Sequence, residues 1–246
     1  MVSLPELQAA FNTNRSLEYQ CQANLNIYNS PTLESLATQA VAGRQLRILP
    51  QSANGTRIMG VAIEVQLCED DYSGWLALED LDLIEVAESP YQAIVRSLAE
   101  IRTRLPQVIA YTHNAMTQPN HYLWGGTVGP NYDCSGLMQT AFAATGIWLP
   151  RDSYQQEAFS QPISVEELEP GDLIFFGTPE RTNHVSLYLG EGYYIHSSGR
   201  EKGRNGIGID LLSEAGDGIS QAYYQLFRRA GRVVESYQPS ALSSKI

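Results

Sequence analysis

The hydrophobic period of this chain changes twice, and each change limits what the flanking segments can form. Up to about residue 86 apolar residues recur every second position. Ala23, Leu25 and Ile27 alternate with polar neighbours before Asn29-Ser30-Pro31 interrupts the run. Leu46 and Ile48 alternate before Pro50, and Asn54-Gly55 is a strong turn signal. Val61, Ile63, Val65 and Leu67 keep the period, and Trp75 to Leu78 begins a further strand. Short strands separated by turns predict a small β-barrel. At Ala87-Glu88-Ser89-Pro90 the pattern breaks. Ile94, Leu98, Ile101 and Leu105 then follow helical spacing. Pro106 is expected at the first position of a second helix over 106–115, where its missing N–H does no harm. Leu137, Met138, Ala141 and Phe142 form one face of a third helix starting near Cys134 and stopped by Gly146. After Glu169-Pro170-Gly171 the period of two returns, in 172–176, 184–189, 193–198, 205–212 and 223–234. Helices followed by antiparallel strands predict an α+β domain. The expected organisation is a β-barrel over 1–87, an α+β domain over 88–235 and a loose polar tail over 236–246.

At 246 residues the chain can bury a core without disulfide or metal staples. Its net charge of −11 argues against a nucleic-acid backbone as partner. Residues 199–204 are the only candidate basic patch. The three cysteines, Cys21, Cys68 and Cys134, leave at least one unpaired, and the first two are expected in a core as small hydrophobes. The N-terminal residues lack the cationic start and long apolar run of a signal peptide, and no run reaches membrane-spanning length. The expectation is a soluble cytoplasmic protein with no membrane partner, export by another route being left open. No cofactor is called for, and the oligomeric state is not encoded in any visible pattern.

The chemistry concentrates after residue 120. Tyr122-Leu123-Trp124-Gly125-Gly126-Thr127 and Asn131-Tyr132-Asp133-Cys134-Ser135-Gly136 form a glycine-rich loop that delivers Cys134 to a helix start. Free N–H groups and the macrodipole there favour a thiolate. A thiol so placed beside a histidine can fall from about 8.5 to roughly 3.5–7.5 in pKa. The same N–H groups can hold an oxyanion. Of His113, His121, His184 and His196, the last two flank a predicted hairpin. With a loop at 190–192, Leu189 pairs with Tyr193 and Ser186 with His196, which makes His184 and His196 diagonal neighbours on one face. A one-residue slip would separate them. In that register His184 can take a proton from Cys134, and His196 can hold the tautomer of His184. His113 and His121 are expected at the surface or in loops.

Asp133-Cys134-Ser135-Gly136, Pro170-Gly171-Asp172-Leu173-Ile174-Phe175-Phe176, His184-Val185 and His196-Ser197, in that order, resemble the motif set of the NlpC-type bacterial cell-wall peptidases. The resemblance implies a papain-like fold with Cys134 as nucleophile, His184 as base, His196 as polar third residue and Tyr122 beside the nucleophile. Leu25-Asn26-Ile27-Tyr28 and Gly74-Trp75-Leu76-Ala77 resemble strands of a bacterial SH3-like domain. The combination is similar to γ-D-glutamyl-L-diamino-acid endopeptidases, which trim cell-wall peptides with a free N-terminal L-alanine. It implies small cell-wall peptides (L-Ala-γ-D-Glu-diamino acid) as substrate. It also implies that Tyr72 of the barrel closes the cleft and that Asp133 and Ser135 meet the substrate amine. Arg151, in Leu149-Pro150-Arg151-Asp152-Ser153, is a candidate for a substrate carboxylate.

Three other readings compete. Cys134, His184 and His196 could ligate zinc, although paired ligand spacing is absent. The thiol could serve an amidase or acyltransferase acting on another amide or ester, since chemistry lives in the site and not the scaffold. The protein could bind cell wall without catalysis.

Overall fold

A computed structural model describes residues 17–49 and 58–239. The expected break at Pro50, the Asn54-Gly55 turn and the N-terminal segment lie outside the described residues. The chain divides into two compact units, one reaching Ala93 and the other running Ile94–Tyr237.

The first unit is an antiparallel eight-stranded sheet, described from β1 (Glu18–Cys21), β2 (Leu25–Tyr28), β3 (Leu36–Ala40), β4 (Gln45–Ile48), β5 (Ile58–Met59), β6 (Ala62–Leu67), β7 (Ser73–Ala77) and β8 (Ile84–Val86). The order β3-β2-β7-β6-β4-β1-β8, with β5 on β6, is the small antiparallel β-structure that the alternation predicts. Leu25, Ile27, Leu46, Ile63, Val65, Leu67 and Leu76 point into one core. Val61, counted with that alternation, instead precedes β6 and is exposed. Cys21 and Cys68 are free and buried. The acidic run 69–71 is partly internal. Arg44, buried, binds Glu69 at 3.1 Å and Asp70 at 3.0 Å. Asp70 also accepts the N–H of Tyr72 at 3.2 Å, so this ionic cluster fixes the turn that carries Tyr72.

The second unit sets helices on a six-stranded antiparallel sheet. Its helices are α1 (Leu98–Thr117), α2 (Cys134–Ala143), α3 (Ser153–Phe159) and α4 (Gly218–Tyr224). Its strands are β9 (Gln161–Ile163), β10 (Leu173–Gly177), β11 (Thr182–Gly190), β12 (Tyr193–Ser198), β13 (Gly206–Leu211) and β14 (Phe227–Arg232), in the order β13-β12-β11-β10-β14-β9. The fold is α+β, as the pattern predicts. Leu137, Met138, Ala141 and Phe142 of α2 are fully buried against Phe175, Val185 and Leu187. The next side chains along β10, Ile174 and Phe176, pack with Tyr194 and Tyr223 in a second cluster. The central strand is therefore covered on both faces, which requires its unbroken apolar run.

Three expectations are corrected. Residues 98–117 form one helix with Pro106 inside it. Pro106 and Arg102 are both exposed, so water can take the Arg102 carbonyl that the proline leaves without a donor. The true start is a capping box at Ser97 and Glu100, a signal already present in Ser97-Leu98-Ala99-Glu100. The tail does not loosen at Ser236. That side chain is buried and accepts the Trp148 N–H at 2.9 Å, and the Tyr237 N–H returns to the Trp148 carbonyl at 2.8 Å. The segment 223–234 is the end of α4 followed by β14, and the short helices α3 and α4 carry too little periodicity to stand out.

Candidate active site

Cys134 is the first residue of α2, with Asp133 as N-cap accepting the Gly136 N–H at 2.6 Å. Gly136 is obligatory at its position, because a Cβ there would lie 2.0 Å from the Gly126 carbonyl oxygen. This close approach seats the Tyr122–Gly126 segment against the helix start. Asp133 also accepts the Gly125 N–H at 2.9 Å and the Ser135 hydroxyl at 3.4 Å.

Arg151 differs from expectation. It is 1% exposed and donates to Asp133 at 2.6 and 3.1 Å and to Ser135 Oγ at 3.0 Å. A guanidinium enclosed in this way holds the loop and does not face a substrate carboxylate. Asp133 thus accepts five donors, close to the capacity of a carboxylate.

The backbone N–H groups of Val185 and Ser135 reach the Cys134 thiol and draw its pKa down. Burial, aided by the Asp133 carboxylate, outweighs them and pushes the thiol up to about 12. The downward shift expected of a helix start is reversed because water is excluded. Burial, then His196, holds His184 well below the ordinary histidine range. Both groups therefore rest uncharged.

The hairpin register near the histidines is the predicted one. Leu187 pairs with Ile195 and Tyr188 with Tyr194, and the next step slips so that Tyr193 meets Gly190 and not Leu189. The slip lies on the loop side and leaves the histidine end unshifted. His184 Nε2 and His196 Nδ1 are 2.7 Å apart. Two nitrogens at hydrogen-bond distance leave no room for a zinc ion between them. Among the described residues no group of three or more His, Cys, Asp or Glu side chains is arranged to hold a metal.

Three neighbours escaped the sequence reading. Asp210 Oδ2 is 2.6 Å from His196 Nε2, and Arg204 grips the same carboxylate through Nη2 and, at 3.1 Å, Nε. Burial opposes ionisation of Asp210, but the bonds from His196 and Arg204 prevail and hold its carboxyl below the usual carboxylate range. Arg204 belongs to the candidate basic patch and turns inward. Tyr223 of α4 stacks on His184, ring centroids 4.6 Å apart, and shares a 2.6 Å hydrogen bond with Ser198. Only Asp210 left a trace in the sequence, as an acidic residue two positions beyond Gly208, the partner of His196. Tyr122 is half-buried near Cys134, and burial pushes its phenol up. Tyr72 belongs to the first unit, half-buried in the turn between β6 and β7. His113 is half-buried on α1 and His121 is exposed.

Residues 119–228 match the NlpC/P60 family. The second unit carries an NlpC/P60 domain. Residues 27–81 match a domain described as the bacterial dipeptidyl-peptidase SH3 domain. The chain is 40% identical over 84 residues to a gamma-D-glutamyl-L-lysine dipeptidyl-peptidase of Bacillus cereus, covering 33% of this chain and 25% of that protein. A protein of the same name from Bacillus subtilis is 37% identical over 95 residues, covering 37% of this chain and 30% of its own. The matched stretch thus spans less than a third of either relative's length. A crystal structure of an NlpC/P60 family protein from Bacillus cereus aligns over 92% of this chain and 66% of its own, with 23% identity and a TM-score of 0.45. The NlpC/P60 domain here carries every motif on which the resemblance to cell-wall peptidases was drawn.

Proposed function

We propose that this protein is a cysteine endopeptidase that hydrolyses the bond between γ-D-glutamate and a diamino acid in cell-wall peptides with a free N-terminal L-alanine. The observation that carries the reading is the Cys134 thiol at the start of α2, beside the strand that holds His184, with His184 bonded to His196. Relatives named gamma-D-glutamyl-L-lysine dipeptidyl-peptidases and the accompanying SH3 domain support the substrate class.

His184 takes the Cys134 proton as sulfur attacks the γ-carbonyl. The oxyanion forms at the N-terminal end of α2, where the helix dipole and the Ser135 N–H that reaches the thiol favour negative charge. His184 returns the proton to the leaving amine, and water then releases the acyl group from sulfur, regenerating the thiol. The substrate ammonium is assigned to Asp133. Its bond from Ser135 at 3.4 Å is the longest of the five, and an ammonium replacing it would gain a charge-assisted bond. Tyr122, near Cys134, is assigned to the same side. Small cell-wall fragments are the proposed substrates, and the proposed location is the cytoplasm, with export by another route as the alternative. No helix of the described residues is long and apolar enough to cross a membrane.

The test is incubation of L-Ala-γ-D-Glu-diaminopimelate with the wild type and Cys134→Ala. Release of diaminopimelate by the wild type alone is expected. Cleavage that persists in the variant would refute the reading, and equal cleavage of the N-acetylated peptide would refute the requirement for a free amine.

A further inference from the structure

The bonds His184–His196–Asp210–Arg204 form a buried chain that can hold its protons in two ways. In one, His196 donates from Nε2 to Asp210 and accepts at Nδ1 from the Nε2–H of His184. The lone pair of His184 is then on Nδ1. In the other, every proton is shifted: His196 carries its proton on Nδ1 and donates to His184 Nε2, so the His184 proton sits on Nδ1. That ring nitrogen then cannot accept a proton. The histidine pair alone does not choose between the two arrangements, because each supplies one donor and one acceptor across the 2.7 Å contact.

We infer that Asp210, clamped by Arg204, makes this choice and so acts as a positioning residue that sets His184 as a base, an inference that rests on the peptidase reading above. The second arrangement would turn a lone pair of His196 toward a carboxylate oxygen 2.6 Å away, with both groups fully or almost fully buried. It would exchange a charge-assisted bond for a repulsion between two buried side chains. Arg204 excludes the remaining escape, a protonated Asp210. A guanidinium stays charged and binds both carboxylate oxygens. Gly208 leaves the lane for this side chain: a Cβ there would lie 2.2 Å from Arg204 Nη1. When His184 accepts the thiol proton on Nδ1, its Nε2–H stays on His196. The new positive charge then faces the Asp210 carboxylate through one imidazole, without any further proton transfer.

Asp210→Asn separates this role from packing, since the shape is kept. Arg204 and His196 then compete for one amide oxygen. Arg204 Nη2 makes the shorter of the two arginine contacts and keeps the oxygen at the Oδ1 position. The amide NH₂ then takes the Oδ2 position and points at His196 Nε2, at the cost of the Arg204 Nε bond. The whole chain reverses. The experiment is long-range ¹H–¹⁵N NMR of the full-length protein labelled with ¹⁵N-histidine, with His113→Gln and His121→Gln used for assignment, alongside tripeptide hydrolysis. The wild type is expected to show both buried rings protonated on Nε2. Asp210→Asn is expected to move both protons to Nδ1 and lower kcat about 10²- to 10⁴-fold, with KM changed by less than about threefold. Arg204→Ala added to Asp210→Asn frees the amide to turn its oxygen to His196. It is expected to restore the wild-type tautomer and at least about tenfold of the lost rate. A wild-type His184 with its proton on Nδ1, or an unchanged tautomer in Asp210→Asn, would overturn the inference. The wild-type spectrum needs neither substrate nor a foldable variant. If it shows the expected tautomers while the tripeptide stays intact, only the peptidase reading fails.

Discussion

Arg151 and Asp133 form a two-point ion pair at 2.6 and 3.1 Å, with the arginine 1% exposed, directly behind the residue that opens α2. The pair ties the end of the Tyr122–Gly126 segment, the N-cap of α2 and the segment before α3 into one unit. Arg151→Met would leave Asp133 a buried carboxylate with only backbone and hydroxyl donors. A loss of about 3–5 kcal/mol in unfolding free energy is expected. Arg151→Lys should retain part of it, because an ammonium cannot bind both oxygens in the same planar fork. Urea denaturation followed by far-UV circular dichroism decides. A loss below about 1 kcal/mol in Arg151→Met would mean that Gly125 and Gly136 hold the carboxylate alone.

The pH dependence of thiol reactivity follows from the two opposed shifts at the centre. The Cys134 thiol is pushed up to about 12, while His184 is held well below the ordinary histidine range. The free enzyme therefore carries a neutral pair at pH 7, and sulfur ionises only as pH rises. Modification of Cys134 by iodoacetamide, quantified by peptide mass spectrometry, should accelerate about tenfold per pH unit between pH 7 and 10. His184→Ala should change this slope little. A rate already at plateau between pH 6 and 9, abolished by His184→Ala, would instead indicate a preformed thiolate–imidazolium pair. The charged and titratable neighbours that set this balance are Asp133 and Arg151 at the thiol, and His196 and Lys202 at the imidazole.

Much of the site was legible because local rules govern it. Gly136 after Cys134, the apolar face of α2 and the 190–192 turn each follow from steric or periodic constraints on nearby residues. The turn put His184 and His196 on facing strands, but the register that brings them into contact is set by a slip beside the turn that the sequence does not show. The outer partners were not legible, because no local rule reaches them. Asp210 meets His196 through the β12–β13 pairing, Tyr223 through a seven-residue helix, and Arg151 reaches Asp133 across 18 residues of chain. The direction of the Cys134 shift was lost too, because a helix start is visible in sequence whereas burial is a property of the assembled core. Pro106 failed in the opposite sense. The local rule is sound, but solvent on that face of α1 lets the helix absorb the missing bond.

That last case makes a stability prediction. Pro106 costs α1 one backbone hydrogen bond on an exposed face. Replacing it with alanine restores the donor to the Arg102 carbonyl and improves helix propensity by about 3 kcal/mol. The more flexible unfolded chain offsets about 1 kcal/mol of this. Pro106→Ala is therefore expected to stabilise the protein by about 1–2 kcal/mol without altering turnover. A destabilised variant would show that the backbone geometry set by Pro106 is needed to seat Ile101 and Val108 of α1 in the core.

The buried cluster of the first unit predicts a different failure. Arg44 is bound to both Glu69 and Asp70, and all three side chains are at most 5% exposed. Asp70 in turn fixes the Tyr72 N–H, and Asp71 between them adopts a left-handed conformation with φ 56°. Arg44→Met removes the charge but leaves two carboxylates under cover, so a loss of about 3–5 kcal/mol in this unit is expected. Adding Glu69→Gln should recover part of it, since one uncompensated charge disappears. The chain has three tryptophans, and only Trp75 lies in this unit. In a Trp124→Phe, Trp148→Phe background its fluorescence reports the first unit separately. Earlier loss of the Trp75 signal in Arg44→Met, with the NlpC/P60 domain still folded by circular dichroism, is the expected result.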